Sequence, residues 1–280
     1  MGRKHRSGKT PVETTYTVPN CPATKLAHPL ALLSDSHNTD PQPILSSLRS
    51  RRPSLILIAG DFVYGSTPSH PSQLKMQEST AAMDLITGCT TIAPTYISLG
   101  NHEWMLHDSD LRLIADTGAV VLDNSFITTE VDGQRIILAG LSSARVTDYQ
   151  RWRDAHPSSE LYPRETYHVA PPLQPDLSWL SDFCSAPGFH VLLCHHPEYY
   201  TYLRDRDIDL ILSGHAHGGQ WRVFNPFKRE WVGVWSPGQG FLPRLTSGVV
   251  ENRLVISRGL SNTTVIPRIC NPTEILYVEA

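Results

Sequence analysis

Short apolar runs rich in β-formers recur along this chain, each ending abruptly in small, acidic or histidine residues before a helix-compatible stretch. Leu30–Leu33 runs into Ser-Asp-Ser-His and Leu55–Ala59 into Gly-Asp. Residues 96–99 run into Gly-Asn-His-Glu, 191–194 into His-His-Pro, and 210–212 into Ser-Gly-His-Ala-His. This is the grammar of an α/β protein in which five strands deliver polar clusters to one edge. Between the strands, residues 43–50, 73–87, 108–117 and 176–184 read as helices, with Pro71 ahead of the second and Asp108 or Ser109 capping the third. From about Trp221 the texture becomes short alternating runs broken by Pro and Gly, at 232–235, 248–251, 253–257 and 275–279. The last quarter is therefore expected to be mostly antiparallel strand. Two segments read as irregular: 64–72, a rim loop, and 144–174, a polar, proline-rich excursion long enough to cover a site. No Gly/Ser-rich linker, low-complexity tract or internal repeat interrupts the pattern.

Composition narrows this picture. With 280 residues, 40% hydrophobic and 18% charged, the chain can bury a sizeable core. No apolar run approaches the roughly 18 residues of a membrane-spanning helix. The net charge of -3 hides an asymmetry, because Arg3, Lys4, Arg6 and Lys9 precede any acid. Residues 1–12 are expected to be a flexible basic tail and 13–280 a single domain whose acidic body disfavours an extended nucleic-acid surface. The tail lacks the apolar stretch of a secretory signal, so the expected location is cytoplasmic, with weak contact to an anionic membrane surface through the tail as the alternative. Five irregularly spaced cysteines form neither a disulfide framework nor a structural zinc pattern.

The chemistry sits in the strand-end clusters. Six of 13 histidines lie there: His37, His102, His195, His196, His215 and His217. With Asp35, Asp61 and Asn101 they make a mixed imidazole, carboxylate and carboxamide set, which suits Mn, Fe, Zn or Co. Asp35 and His37 are one residue apart, as are His215 and His217; on an extended strand end each pair would face one way and grip one ion. Glycines before Asp61, Asn101 and His215 allow tight turns beside such ions.

Asp35-x-His37, Gly60-Asp61, Gly100-Asn101-His102-Glu103, His195-x-Pro197 and Gly214-His215-x-His217 stand in the order that marks the calcineurin-like metallophosphoesterase superfamily. The chain resembles that superfamily from about Leu30 to the last residue. The words around residues 212–220 and 257–260 look like the bacterial branch of UDP-2,3-diacylglucosamine pyrophosphatase-type enzymes. The resemblance implies a four-layer α/β/β/α sandwich and hydrolysis of a phosphate monoester, diester or pyrophosphate by a hydroxide bridging two transition-metal ions, Mn favoured. It implies one ion held by Asp35, His37, Asp61 and His217 and a second by Asp61, Asn101, His195 and His215, with Asp61 bridging. His102 would be the catalytic group that meets the phosphate and helps the leaving group, and Glu103 would orient or charge-stabilise its imidazole.

Other residues are more ordinary. His196 is expected to point away from His195, and His107 and His70 to be a helix-start and a loop histidine. Arg258 and Arg145 read more readily as surface ion pairs than as phosphate ligands. Trp221, Trp231 and Trp235 read as core rather than as a pocket wall. Ser142 and Ser143 stand where many members of the branch carry acidic residues, and the branch's N-terminal membrane helix is missing. The expected substrate is a small phosphorylated molecule. A nuclease of the same superfamily is disfavoured by the acidic body, and a non-catalytic metal-bound scaffold is disfavoured because every ligand position is filled.

Overall fold

The computed structural model describes residues 10–19, 26–64, 76–156, 174–227, 229–262 and 267–279. His70, residues 1–9 of the basic tail and much of the 144–174 excursion lie outside them. The strands are β1 Val12–Thr17, β2 Leu30–Leu33, β3 Leu55–Ala59, β4 Thr95–Ser98, β5 Val120–Leu122, β6 Ser125–Val131, β7 Gln134–Leu141, β8 Phe189–Cys194, β9 Leu210–Ser213, β10 Arg222–Asn225, β11 Glu230–Gly233, β12 Trp235–Ser236, β13 Gly240–Phe241, β14 Gly248–Val250, β15 Leu254–Ile256 and β16 Glu274–Glu279. Two six-stranded sheets run in the orders β1-β16-β2-β3-β4-β5 and β14-β15-β9-β8-β7-β6.

Period-two alternation splits each central strand between two cores. Leu30, Leu32, Leu55, Leu57 and Ala59 face Val191, Leu193, Leu210 and Leu212 of the other sheet. Ala31, Leu33, Ile56 and Ile58 instead meet Ile44, Leu48, Leu85 and Ile86, which lie on helices α1 Gln42–Arg51 and α2 Thr80–Thr90. Leu192, Cys194 and Ile211 turn outward to Leu180, Phe183 and Leu203. Helix, sheet, sheet and helix stack in four layers, which is why the strands read as continuous apolar runs.

Two expectations change and one holds. Residues 144–155 are not irregular: after helix α3, Asp108–Ala115, they form helix α4, Ala144–Ala155, with the Ser143 hydroxyl accepting from the Arg145 N–H at its start. Tertiary contacts supply what the polar sequence conceals, since Val146 and Tyr149 pack into the core beneath. The C-terminal strands are mostly antiparallel, as expected, in the pairs β10–β11, β12–β13, β14–β15 and β16–β2, while β15 joins β9 and β16 joins β1 in parallel. The tail ends earlier than residue 12, as Val12 already pairs with Glu274. Among the described residues no helix is long and apolar enough to cross a membrane.

Candidate metal centre

The C-terminal ends of β2, β3, β8 and β9 and the turn after β4 meet at one edge, stitched together by their backbones. Asp35 and His37 donate N–H to the carbonyls of Gly60 and Asp61, both at 3.1 Å, and Gly214 donates to the carbonyl of His195 at 3.1 Å. At Gly60, φ is +75°, and a Cβ would lie 2.5 Å from the Gly100 nitrogen, so only glycine lets these two strand ends approach.

The local backbone is not extended. Asp35, His37, Asp61, His215 and His217 all have positive φ, between 41° and 63°. Such left-handed turns cost non-glycine residues on the order of 1–3 kcal/mol each and persist where the surrounding fold imposes them. Asp35 and His37 thus converge through turns, not through strand alternation. His215 and His217 fall in different donor groups. His217 joins Asp35 and His37, whereas His215 joins Asp61 and His195; within each group the donor atoms lie within 4.8 Å of one another. Asp61 stands between them: its Oδ2 is 3.1 Å from His195 Nε2, 3.7 Å from His37 Nε2 and 3.8 Å from His102 Nε2.

The fit to metal ions rests on what these buried atoms lack. Asp35 Oδ1, His37 Nε2, His195 Nε2 and Asn101 Oδ1 are buried without a hydrogen-bond partner, an arrangement that costs energy unless a cation meets them. The opposite ring atoms are engaged. His37 Nδ1 donates to the carbonyl of Val63 at 3.0 Å and His195 Nδ1 to that of Ala59 at 2.7 Å, which turns both Nε2 atoms toward the centre. His217 is set differently, because its Nδ1 lies 2.9 Å from Arg268 Nη2, which can only donate. In this arrangement the neutral ring carries its proton on Nε2, facing Asp35 Oδ1 at 3.5 Å, and ligation through Nε2 would require the proton to shift to Nδ1 and the Arg268 contact to break.

Electrostatics follow burial. Burial, then the His102 ring, lowers the pKa of His37 to about 3, and burial with Arg268 lowers that of His217 to about 3. Burial and the His196 ring hold His215 well below its ordinary value. For His195 burial acts downward, but the Asp61 carboxylate outweighs it and raises the pKa to about 10. Asp61 is held well below the usual carboxylate range, because the ring of His195 and its neighbours overcomes the burial that alone would raise it.

His102 is the most open of the group, its side chain 29% exposed beside Asp61. Glu103 does not serve it. The two face apart, and the Glu103 carboxylate accepts backbone N–H bonds from Gly100 at 2.7 Å, Asp61 at 2.8 Å and Val63 at 3.2 Å. Adjacent residues diverge here, and three inward-pointing N–H groups capture the carboxylate. Burial, then Asp61, pushes its pKa up to about 8.

Some contributors escaped the sequence reading. Glu198 Oε1 lies 3.1 Å from His196 Nδ1 and 3.6 Å from His215 Nε2, and His196 Nε2 meets the Ser143 hydroxyl at 2.9 Å. The one available signal was that Glu198 follows His195-His196-Pro197 directly; for Arg268 the sequence held none. His196 does not turn clear of the centre: its ring lies edge-on to that of His195 at 5.1 Å and 4.2 Å from that of His215, and with Glu198 and His215 it makes a further donor group. Arg258 is bound to Glu274 at 2.6 Å and so is not free for phosphate. Trp221, Trp231 and Trp235 are not core: they are 38%, 48% and 37% exposed.

A sandwich whose sheet edges converge on such a donor set is the architecture of a metal-dependent phosphoric ester hydrolase. The chain belongs to the calcineurin-like phosphoesterase family, whose profile matches residues 28–219. It is 26% identical over 235 residues to the uncharacterized protein YpbG of Bacillus subtilis, covering 82% of this chain and 76% of that one. It is 26% identical to the phosphodiesterase YaeI of Escherichia coli, over 70% of this chain and 57% of the relative. A putative metallophosphoesterase of Caenorhabditis elegans, F40B5.2, is 28% identical over 70% of this chain, which spans only 38% of its length. Among solved structures, the phosphopantetheinyl hydrolase of Mycobacterium tuberculosis overlays with a TM-score of 0.38 at 11% identity, covering 71% of this chain and 86% of that one.

Proposed function

We propose that residues 13–280 form one dinuclear, divalent-metal-dependent phosphohydrolase acting on a small phosphate ester, with a phosphodiester the favoured bond. The observation that carries this reading is the set of orphaned buried donor atoms arranged on both sides of Asp61. The name of the Escherichia coli relative supports the diester class. Asp35, His37 and His217 would hold one ion, and Asn101, His195 and His215 the other, with Asp61 shared. When bound, the ions supply positive charge to the phosphoryl oxygens and activate water as the nucleophile.

The protein's own groups do the remaining work. Backbone carbonyls of Val63 and Ala59 hold the His37 and His195 rings in the ligating tautomer. Glu103 ties the Asp61 and Asn101 turns together through their backbones, and so acts as a positioning residue rather than on the substrate. His102, the exposed imidazole beside Asp61, would contact the phosphate and hand a proton to the leaving oxygen. The test compares bis-aryl phosphate, aryl phosphate and nucleotide-sugar pyrophosphate with Mn and after chelation. Turnover fastest on the diester, lost with chelator and restored by Mn, is expected; turnover indifferent to chelation would refute metal dependence.

A further inference from the structure

The exposed apolar residues of this protein are concentrated on two small ribbons outside both main sheets. One pairs β10 with β11, and the other pairs β12 with β13. Phe227, at the turn of the first, is 96% exposed; Phe241 and Leu242, at the end of the second, are 79% and 78% exposed. Phe224 and Trp231 meet across the first ribbon with ring centroids 5.7 Å apart, yet each remains about half exposed. Hydrogen bonds join the ribbons, since Val234 donates to the carbonyl of Trp221 at 2.8 Å and Leu242 to that of Val234 at 2.9 Å. Large apolar groups gathered on adjoining exposed ribbons mark an interaction site rather than the scatter expected of a solvated face.

Charge selects the occupant. Residues 221–244 carry Arg222, Lys228, Arg229 and Arg244 against the single acid Glu230, a net charge of +3 in a chain whose total is -3. A closed twofold dimer through this face would set the patch against its own copy, and so +3 against +3. Aromatic groups interleaved with arginines instead match an anionic lipid interface, where rings enter the acyl boundary and guanidinium groups stay among the headgroups. We propose that the two ribbons dock this protein onto an anionic bilayer, with Phe227, Phe241 and Leu242 entering the apolar layer and Arg229 and Arg244 in the headgroup layer. The face also borders the candidate metal centre. Gly238, in the turn of the second ribbon, is packed so closely that a Cβ there would lie 2.2 Å from Glu198 Oε1 and 3.4 Å from His215 Nε2. Docking would therefore hold that centre beside the headgroup layer, although the proposal itself rests on exposure and charge and not on the reaction.

Flotation of the full chain with phosphatidylcholine vesicles, with and without about a quarter phosphatidylglycerol, tests this at low salt. Binding is expected only to the anionic vesicles, with a blue shift in tryptophan fluorescence. The triple variant F227S/F241S/L242S, whose exposed positions leave the cores untouched, should bind about tenfold more weakly or less while keeping its melting temperature. A second full-chain variant, R3Q/K4Q/R6Q/K9Q, isolates the basic tail and should still bind. No flotation, equal binding by the triple variant, or binding abolished by the tail variant would each overturn the proposal. So would a dimer that the triple variant dissociates in the absence of lipid, which would assign the face to a second copy.

Discussion

At the scale of single residues, His102 and Glu103 are chain neighbours with opposite fates, and substitution should separate them. His102→Ala is expected to keep its metal content while turnover falls by roughly 10² to 10⁴, more for an alkyl leaving group that needs a proton than for an aryl one. Elemental analysis beside parallel assays on both esters checks this; a lost ion would move His102 into the ligand set. Glu103→Gln replaces one accepting oxygen with an NH2 group facing buried N–H donors. It should cost about 1–3 kcal/mol of stability and weaken metal affinity, as read by denaturant melts and metal titration.

The same residues set a pH profile for the chelated protein. His37 and His217 fall from an ordinary 6.5 to about 3, so the stability they contribute is complete above about pH 6.5 and is lost as pH falls toward 3. Glu103 rises from 4.5 to about 8, so its contribution is complete below about 4.5 and is lost as pH climbs through 8. Stability of the metal-free protein should therefore peak near pH 6.5; His195, raised to about 10, adds to the alkaline fall, so Glu103→Gln should reduce that fall and leave the acid side unchanged. Melting curves in chelator from pH 5 to about 8.5 give the answer. A profile unchanged by that substitution would show Glu103 to be ionised throughout.

At the scale of elements, strand ends were easier to read than helices or ribbons. An apolar run that stops at Gly-Asp announces its own boundary, and β3 falls where the pattern puts it. Helix α4 announces nothing, because its sequence is polar and only Ala144, Val146 and Tyr149 are buried. The three tryptophans misled for a related reason: composition says that a Trp gains from burial, but not which face of a ribbon has a neighbour. Gly60 marks the joint between β3 and the turn after β4. Gly60→Ala should destabilise the protein by about 1–3 kcal/mol through positive φ and the 2.5 Å approach to Gly100, and should loosen metal binding in proportion. Circular dichroism melts with and without Mn measure both effects; an unchanged melt would mean that the two turns can part without cost.

At the scale of the whole molecule, the two sheets contribute different halves of one centre. Asp35, His37, Asp61 and Asn101 follow strands of the first sheet, and His195, His215 and His217 follow strands of the second. Metal binding should therefore clamp the sheets together. Saturating Mn is expected to raise the melting temperature, by an amount equivalent to about 3 kcal/mol at a hundredfold excess over Kd, with about two ions bound per chain. Asp61→Asn should reduce both the shift and the stoichiometry, and calorimetry with elemental analysis reads each; one ion per saturated chain would refute the shared role of Asp61.

The sequence by itself determined which residue types gather at strand ends, because apolar runs must stop where the backbone leaves the cores, and the Asp, Asn and His residues follow those stops. Strands apolar on both faces need cover on both, which permits the layered architecture that the family resemblance implies. Only the tertiary structure decided that Asp35 and His37 converge through turns, that Glu103 holds backbone rather than imidazole, and that Arg268 faces His217. Those outcomes depend on left-handed turns at Asp35, His37, Asp61, His215 and His217. Asp and His tolerate such turns better than most residues, but that preference is too weak to fix them, and the packing of the strand ends from the two sheets imposes them.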